Sequence, residues 1–222
     1  MHNNLKDYKQ KEIQYFIIAN LLVIFTFSTR IDSILYINNY RSLINLAPLI
    51  GGMGIIYVYF IILDSVISTN IKNLLVFLGN SRLPGNTIFN KLYSKKYKDF
   101  RISIEKLQLF YKDTWNEINE DGNITQNNKF YSFYKNVKND DLIFYSNKNY
   151  LLMRDMNVIS FLFMIFYPFI FLLIHFVFYN GWVQMFFVIL WVMTLYASHS
   201  TGYKFAKNVL ISNYYNKEMD DN

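Results

Sequence analysis

Residues 156–203 read MNVISFLFMIFYPFIFLLIHFVFYNGWVQMFFVILWVMTLYASHSTGY and contain no Asp, Glu, Lys or Arg. Crossing a hydrocarbon core of about 30 Å takes about 20 predominantly apolar residues in an α-helix. The stretch is long enough for two such helices, 156–179 and 182–203, separated only by Asn180 and Gly181. An Asn-Gly pair marks a turn, so we predict an antiparallel pair of membrane-spanning helices here.

Two further uncharged stretches predict another pair of spans nearer the start of the chain. One covers residues 13–29 and the other covers residues 42–63. We therefore expect an all-α integral membrane fold: four transmembrane helices in two pairs with a helical cytoplasmic insertion. The expected organisation is a tail with the first pair (1–64), a cytoplasmic helical segment (65–155), and a second hairpin with its tail (156–222).

The composition and the placement of cations agree with a membrane protein. Apolar residues make up 53% of the chain and charged residues 17%, whereas a soluble domain carries about 25% charged residues. If the four spans alternate, twenty of the 22 Lys and Arg residues share one side. The positive-inside rule then predicts a multi-pass membrane protein with both termini cytoplasmic. The absence of cysteine excludes disulfides and thiolate metal sites.

The insertion is expected to be helical. Apolar residues spaced by three and four continue after the second span, which predicts an amphipathic helix running as far as Leu78. The run Leu83-Pro84-Gly85-Asn86 predicts a turn that ends this helix. Asp99 is the expected N-cap of a further helix reaching about Asn119. At about 75 residues the segment is marginal for independent folding, so we expect it to pack against copies of itself or the membrane.

No residue pattern points to catalysis, so an enzyme is not expected. His2, His175 and His199 are too far apart on the predicted topology to share an ion, and we expect no metal or cofactor. Asp64 and Asp155 flank spans at the expected cytoplasmic interface, so we expect neither to be a buried charge. The lack of paired acids within the spans argues against ion-coupled transport.

Small residues in the second span and a proline in the third have two interpretations. Gly51, Gly52 and Gly54 allow close packing of helices, since Ala47 and Gly51 have the spacing that lets backbones approach. The same glycines, together with Pro168, are also suited to a hinge for gating. Packing is the structural interpretation and gating the functional one.

A basic and aromatic stretch is the strongest indication of a ligand. Its cations are interleaved with rings and comprise Lys91, Lys95, Lys96, Lys98 and Arg101 among Tyr93, Tyr97 and Phe100. Cations with stacking rings bind phosphates, nucleotides and nucleic acids, and they also hold a juxtamembrane strip to anionic lipid. We select Arg82, Lys95, Lys96 and Arg101 as the candidate contacts to an anionic ligand or lipid.

Two short motifs resemble an uncharacterised family of bacterial multi-span membrane proteins. The family has Trp-Gly-Gly-x-Pro-Thr-Thr after its second span, where this chain has LGNSRLPGNT at 78–87. It has Glu-Asn-x-x-Tyr-Gly-Phe-Arg-Arg-Asn before its third span, where this chain has SNKNYLLMRD at 146–155. Asn147, Tyr150 and Arg154 match in register, whereas the Glu, Gly and first Arg positions do not. We expect these three residues to couple the insertion to the third span.

The overall plan also looks like the membrane effectors of bacterial anti-phage defence systems. The likeness implies a cytoplasmic part that senses a nucleotide and spans that assemble into a pore. We therefore expect a homo-oligomeric ion channel or membrane-disrupting effector gated by its cytoplasmic segment. The alternative is a membrane-anchored scaffold that binds a protein partner and has no conductance.

Overall fold

The chain folds as an all-α protein in the computed structural model, which describes residues 5–29, 41–94, 97–120, 126–173 and 177–220. The helices, in chain order, are α1 (Leu5–Ser28), α2 (Arg41–Val66), α3 (Thr69–Phe77), a 3-10 turn (Asn80–Arg82), α4 (Pro84–Tyr93), α5 (Ile104–Phe110), α6 (Lys112–Glu120), α7 (Gln126–Val137), α8 (Asp141–Leu173) and α9 (Gly181–Asp220). The described ranges contain no β-strand beyond one isolated bridge, between Thr29 and Val177. The predicted helical class is confirmed.

Three helices are long and apolar enough to cross a membrane. They contain the stretches Lys11–Ser28, Asp141–Ile170 and Gly181–Met219. A fourth stretch qualifies only as a pair of helices, Ile50–Val66 and Thr69–Phe77, bent by 95° at the break between them. The amphipathic extension predicted after the second span is therefore a separate helix set at a sharp angle.

The third and fourth apolar stretches differ from the prediction at their ends. Helix α8 begins at Asp141 and ends at Leu173, so residues 177–180 are not helical. The prediction of a two-residue turn at Asn180 and Gly181 is wrong. Asn180 instead caps α9, because its Oδ1 accepts from the Trp182 backbone N–H at 3.0 Å. Helix α9 runs on to Asp220, well beyond the predicted end at residue 203.

The chain divides into two compact units. Unit 1 comprises Met1–Lys72 and Leu152–Tyr196, and unit 2 comprises Asn73–Leu151 and Ala197–Asn222. Helices α8 and α9 each contribute residues to both units. The last part of α9 thus groups with Asn73–Leu151, and the predicted three-part organisation stays a prediction.

Unit 1 has an apolar interior that draws on α1, α2, α8 and α9. The buried members are Ile13, Ile17, Leu21, Ile24, Phe60, Leu152, Ile159, Leu162, Phe163, Tyr167, Ile170, Val183 and Phe187. Phe163 stacks on Phe60 with ring centroids 4.0 Å apart and on Phe187 at 5.2 Å. Such stacked pairs contribute about 0.5–1.5 kcal/mol each beyond the area they bury.

A polar contact joins the end of α1 to the segment before α9. The Tyr167 hydroxyl lies 2.6 Å from the Ser28 hydroxyl and accepts from the Asn180 backbone N–H at 2.9 Å. The Phe178 backbone N–H donates to the Ser28 carbonyl at 2.8 Å. These bonds satisfy backbone groups that a helix end otherwise leaves unpaired, which allows the segment to be non-helical.

Unit 2 is held by aromatic packing between its short helices and α9. Tyr150 of α8 stacks on Phe205 of α9 at 5.9 Å between centroids, and Phe130 of α7 meets the same ring edge-on.

Helix α4 begins within the run Leu83–Asn86, where a turn was predicted. Pro84 occupies the first helical position, where its fixed φ fits and no N–H is needed.

The helix expected to start at Asp99 begins four residues later. Ser103 is the N-cap of α5, and its side chain accepts from the Lys106 backbone N–H. Asp99 accepts from the backbone and side chain of Arg101 instead. A nearby cation has therefore taken the carboxylate that would otherwise have capped a helix.

Candidate functional site

The bend between α2 and α3 is the most unusual feature of unit 1. Ser68 lies at the break and serves as the cap of α3: its carbonyl accepts from the Lys72 N–H at 3.0 Å and its hydroxyl lies 3.4 Å from the Ile71 N–H. On a straight helix Asp64 and Lys72 stand about 12 Å apart along the axis. The 95° bend brings them together.

Four charged side chains meet at this bend, and we refer to them as the charge cluster: Asp64, Lys72, Arg154 and Asp155. The Lys72 ammonium lies 2.5 Å from Asp64 Oδ1 and 3.6 Å from Asp155 Oδ2. Arg154 Nε donates to Asp155 Oδ1 at 3.1 Å. Lys72 of α3 therefore forms ion pairs with one carboxylate from α2 and one from α8.

The charge cluster is withdrawn from solvent. The side chain of Asp155 is 0% exposed and those of Lys72 and Arg154 are 7% exposed each. The expectation that Asp155 is not a buried charge is therefore wrong. The physical reason is pairing, since two cations and two carboxylates leave no net charge in the cluster. An isolated ion at the same place would cost several kcal/mol.

Neutral polar side chains follow the charge cluster along α8. Asn157 is fully buried and its Nδ2 donates to the Trp191 carbonyl at 3.0 Å and to Thr194 Oγ1 at 3.1 Å. Ser160, also buried, donates back to the Met156 carbonyl of its own helix. Asn157 thus ties α8 to α9 by hydrogen bonds within an otherwise apolar interior.

The ion pairs of the charge cluster hold α3 at its angle. Removing one partner of a buried ion pair costs about 3–5 kcal/mol because the other charge is left uncompensated. The charge cluster is therefore the starting point for a functional hypothesis. Nothing in the local sequence signals the charge cluster, because Asp64 and Lys72 are brought together only by the bend.

The three residues expected to couple the insertion to the third span all lie on α8. Arg154 belongs to the charge cluster. Tyr150 is buried in unit 2 against Phe205, and Asn147 Nδ2 donates to the Tyr134 hydroxyl of α7 at 3.1 Å. The coupling role stays a prediction, and each of the three residues has a contact through which it can act.

Two of the glycines predicted to serve packing or a hinge in α2 have no close neighbour among the described residues. A Cβ added at Gly51 or at Gly54 meets nothing within 4 Å. Gly52 is half-buried, and Pro168 lies inside α8, whose helix continues on both sides of it. The packing and gating roles of these residues stay predictions.

The four residues selected as contacts to an anionic ligand lie in different surroundings. Lys95 and Lys96 lie outside the described residues, and Arg82 is exposed at the end of the 3-10 turn. Arg101 donates to both carboxylate oxygens of Asp99, at 2.9 and 2.8 Å, and to Asn208 Oδ1 at 2.9 Å. These bonds hold the pKa of Asp99 well below its usual range and raise that of Arg101. Arg101 is thus already engaged.

His199 is the histidine that lies among the described residues. His199 Nε2 lies 2.8 Å from the Val76 carbonyl, and its ring meets Phe77 edge-on at 4.7 Å. His2 and His175 lie outside the described residues. Within those residues no three His, Cys, Asp or Glu side chains are grouped so that they could hold a metal ion.

No protein-family model, curated protein or solved structure matches this chain. The charge cluster and the bend it holds are therefore interpreted from their own geometry.

Proposed function

We propose that this chain is a four-span protein of the bacterial inner membrane with both termini in the cytoplasm. Three long apolar helices and the bent pair α2–α3 support the four spans. Large apolar side chains on the outward face of α9 agree, since Trp182 is 80% and Tyr196 is 78% exposed. An exposed apolar face of this extent is suited to lipid or to another copy of the chain.

In this proposal the protein is a homo-oligomeric channel or membrane-disrupting effector gated by its cytoplasmic segment. The observation that carries it is the 95° bend held by Lys72 between Asp64 and Asp155. Broken helices at membrane depth are used where a protein lines a path or moves. The charge cluster keeps α3 in its bent position, and separation of its ion pairs lets α3 swing and open the path.

The path itself is proposed to lie between copies. The interior of unit 1 is filled by stacked rings such as Phe60 and Phe163, which leaves the centre of one chain closed. The outward face of α2 carries Gly51 and Gly54 with open space beside them. Helices from neighbouring copies can approach closely there.

The test is a conductance measurement on a gating variant. We expect Lys72→Met to depolarise a bacterial membrane more strongly than the wild type at equal expression, measured with a potential-sensitive dye. Lys72→Arg keeps the charge and should behave as the wild type. Lys106→Met is the matched control, because Lys106 is exposed in unit 2.

Two results would contradict the proposal that the protein is a channel. One is an unchanged membrane potential in all four proteins, with each shown by fractionation to be inserted. The other is a monodisperse monomer in mild detergent together with no conductance in reconstituted vesicles.

The alternative of a non-conducting scaffold has its own supporting observation. Unit 2 leaves apolar side chains outside its core, with Phe100 100% and Leu109 75% exposed. Such residues suit the surface of a protein partner. Co-purification of one partner in a fixed ratio, lost in Phe100→Ser with Leu109→Ser, is the result that favours the scaffold over the channel.

A further inference from the structure

Helix α2 is long enough to cross a membrane without the help of α3. It has 26 residues, which give about 39 Å at 1.5 Å per residue, whereas a hydrocarbon core is about 30 Å thick. Residues 42–63 of this helix carry no charge. The nine residues of α3 are therefore not needed to complete the span, and their place in the membrane is a separate question.

The direction of α3 follows from that of α2. Spanning helices are tilted by about 20° from the bilayer normal on average, and α3 is bent by 95° from α2. If α2 spans the membrane, α3 runs close to parallel to the bilayer plane. Asp64, which precedes the bend, is the first charged residue after the uncharged run of α2. Helix α3 therefore starts at the level where the span leaves the hydrocarbon.

One side of α3 is occupied by the chain itself. The Lys72 side chain belongs to the charge cluster and is withdrawn from solvent. Val76 and Phe77 are both buried. The Val76 carbonyl lies 2.8 Å from His199 Nε2, and the Phe77 ring meets the His199 ring edge-on. These contacts fix which side of the helix faces the protein.

The other side of α3 is apolar and uncovered. Ile71, Leu74 and Leu78 are 48%, 55% and 74% exposed. Their spacing of three and four residues places them in one row along the helix, and we refer to them as the apolar row. A helix that turns its outer face to water normally carries polar residues on that face. The apolar row therefore suits a surface other than water.

Leu78 extends the apolar row in a strained backbone conformation. Its φ is +55°, in the left-handed region that bulky side chains rarely adopt. Its N–H donates to the Leu74 carbonyl at 2.8 Å, which keeps it in the helical register. Glycine is the usual residue at this position after a helix. An apolar contact of the side chain would offset the strain, and at 74% exposure most of that contact has to come from outside the chain.

We propose that α3 is an interfacial helix, with the apolar row lying in the boundary layer between the lipid headgroups and the acyl chains. Helices of this kind lie in the membrane plane with their apolar face buried by about 5–10 Å. The apolar row follows directly on the exposed apolar side of α2, which includes Ile62 and Val66. The lipid surface expected around α2 thus continues onto α3. The inference rests on the membrane insertion proposed above.

A second copy of the chain is a poorer occupant of this face. Three partly exposed side chains offer well under the about 800 Å² per partner that a standard protein interface buries. Lipid needs no such area, because it covers any apolar surface at that depth. The bent position of α3 then has two supports, the charge cluster on one side and the bilayer on the other.

The depth of α3 can be measured with nitroxide labels, since the natural chain has no cysteine. The full-length single variants Ile71→Cys and Leu74→Cys are labelled and reconstituted in vesicles of phosphatidylethanolamine and phosphatidylglycerol. Val192→Cys, on the exposed side of α9, is the deep reference, and Lys106→Cys is the control in water. The access of oxygen to each label, which is higher in lipid, is divided by the access of a water-soluble nickel chelate.

We expect the ratios at positions 71 and 74 to lie above that of Lys106→Cys and below that of Val192→Cys. All four positions are exposed, so the labels leave the protein interior intact. With Val192→Cys deep, a ratio at position 74 equal to the control would place α3 in water and overturn the proposal. A ratio equal to the deep reference, or low access of both reagents, would overturn it as well, by placing α3 in the hydrocarbon or under another protein. A ratio at Val192→Cys equal to the control would instead refute the membrane insertion itself, and the interfacial helix with it.

Discussion

Asp99 shows how a single carboxylate organises its surroundings. It accepts three hydrogen bonds from Arg101 and forms an ion pair with Lys207, and its side chain is nearly buried. The network explains why the residue does not cap a helix, and it gives unit 2 a measurable dependence on pH.

We predict that unit 2 loses stability in acid through Asp99. The folded pKa lies below the ordinary value of about 3.9. The stabilisation is therefore present above about pH 4 and is lost as the pH falls through the lower, folded pKa. The melting temperature of the wild type should fall more steeply below about pH 4 than that of Asp99→Asn. Parallel curves for the two proteins would contradict the assignment.

Tyr111 is a second residue whose hydroxyl matters. It is buried, donates to the Leu210 carbonyl at 2.8 Å and accepts from Asn213 at 3.0 Å. We expect Tyr111→Phe to destabilise unit 2 by about 1–3 kcal/mol, since both partners lose their bond inside the protein. Chemical denaturation measures the change. Tyr131→Phe, at an exposed ring on α7, is the control and should change little.

Among the elements, α9 depends on one glycine for its place in unit 2. A Cβ at Gly202 would lie 2.8 Å from Pro84 Cγ and 3.1 Å from the Tyr150 ring. We predict that Gly202→Ala costs about 1–3 kcal/mol by overpacking, although alanine favours helix. Gly181→Ala is the matched control because open space surrounds that position, and it should be neutral or stabilising. Equal melting temperatures for the two variants would refute close packing at Gly202.

The bend between α2 and α3 depends on how the helices pack and not on any single residue. The sequence predicts an apolar helix followed by an amphipathic one, and both are present. It does not indicate the 95° angle between them, because serine at position 68 is compatible with a continuous helix as well as a break. The angle is stabilised by the pairing of Lys72 with Asp155, which lies far away along the chain.

For the whole molecule the proposed topology can be tested directly, since the natural chain has no cysteine. We predict that Trp182→Cys reacts with a membrane-impermeant maleimide in intact cells. Leu109→Cys should react only after the cells are permeabilised. Both positions are highly exposed, so the access of the maleimide to each side of the membrane, and not burial of the residue, decides which cysteine is labelled. The reverse pattern would invert the topology, and labelling of both would exclude a membrane between them.

What the sequence alone determined is the helical class and the apolar character of α1, α8 and α9. These properties are local, because the length of an uncharged run and its spacing decide whether a helix forms and where it can lie. The basic character of the segment around Lys91 is equally local. Arg101, selected from the sequence as a contact to an anionic ligand, is engaged by a neighbouring carboxylate, and its role in ligand binding stays a prediction.

Only the tertiary structure decided which charges are buried and which side chains meet. Lys72 with Asp155, and Lys207 with Asp99, are pairs separated by long stretches of chain. Whether such a charge is buried depends on the partner that offsets its desolvation, and no property of the neighbouring residues specifies that partner.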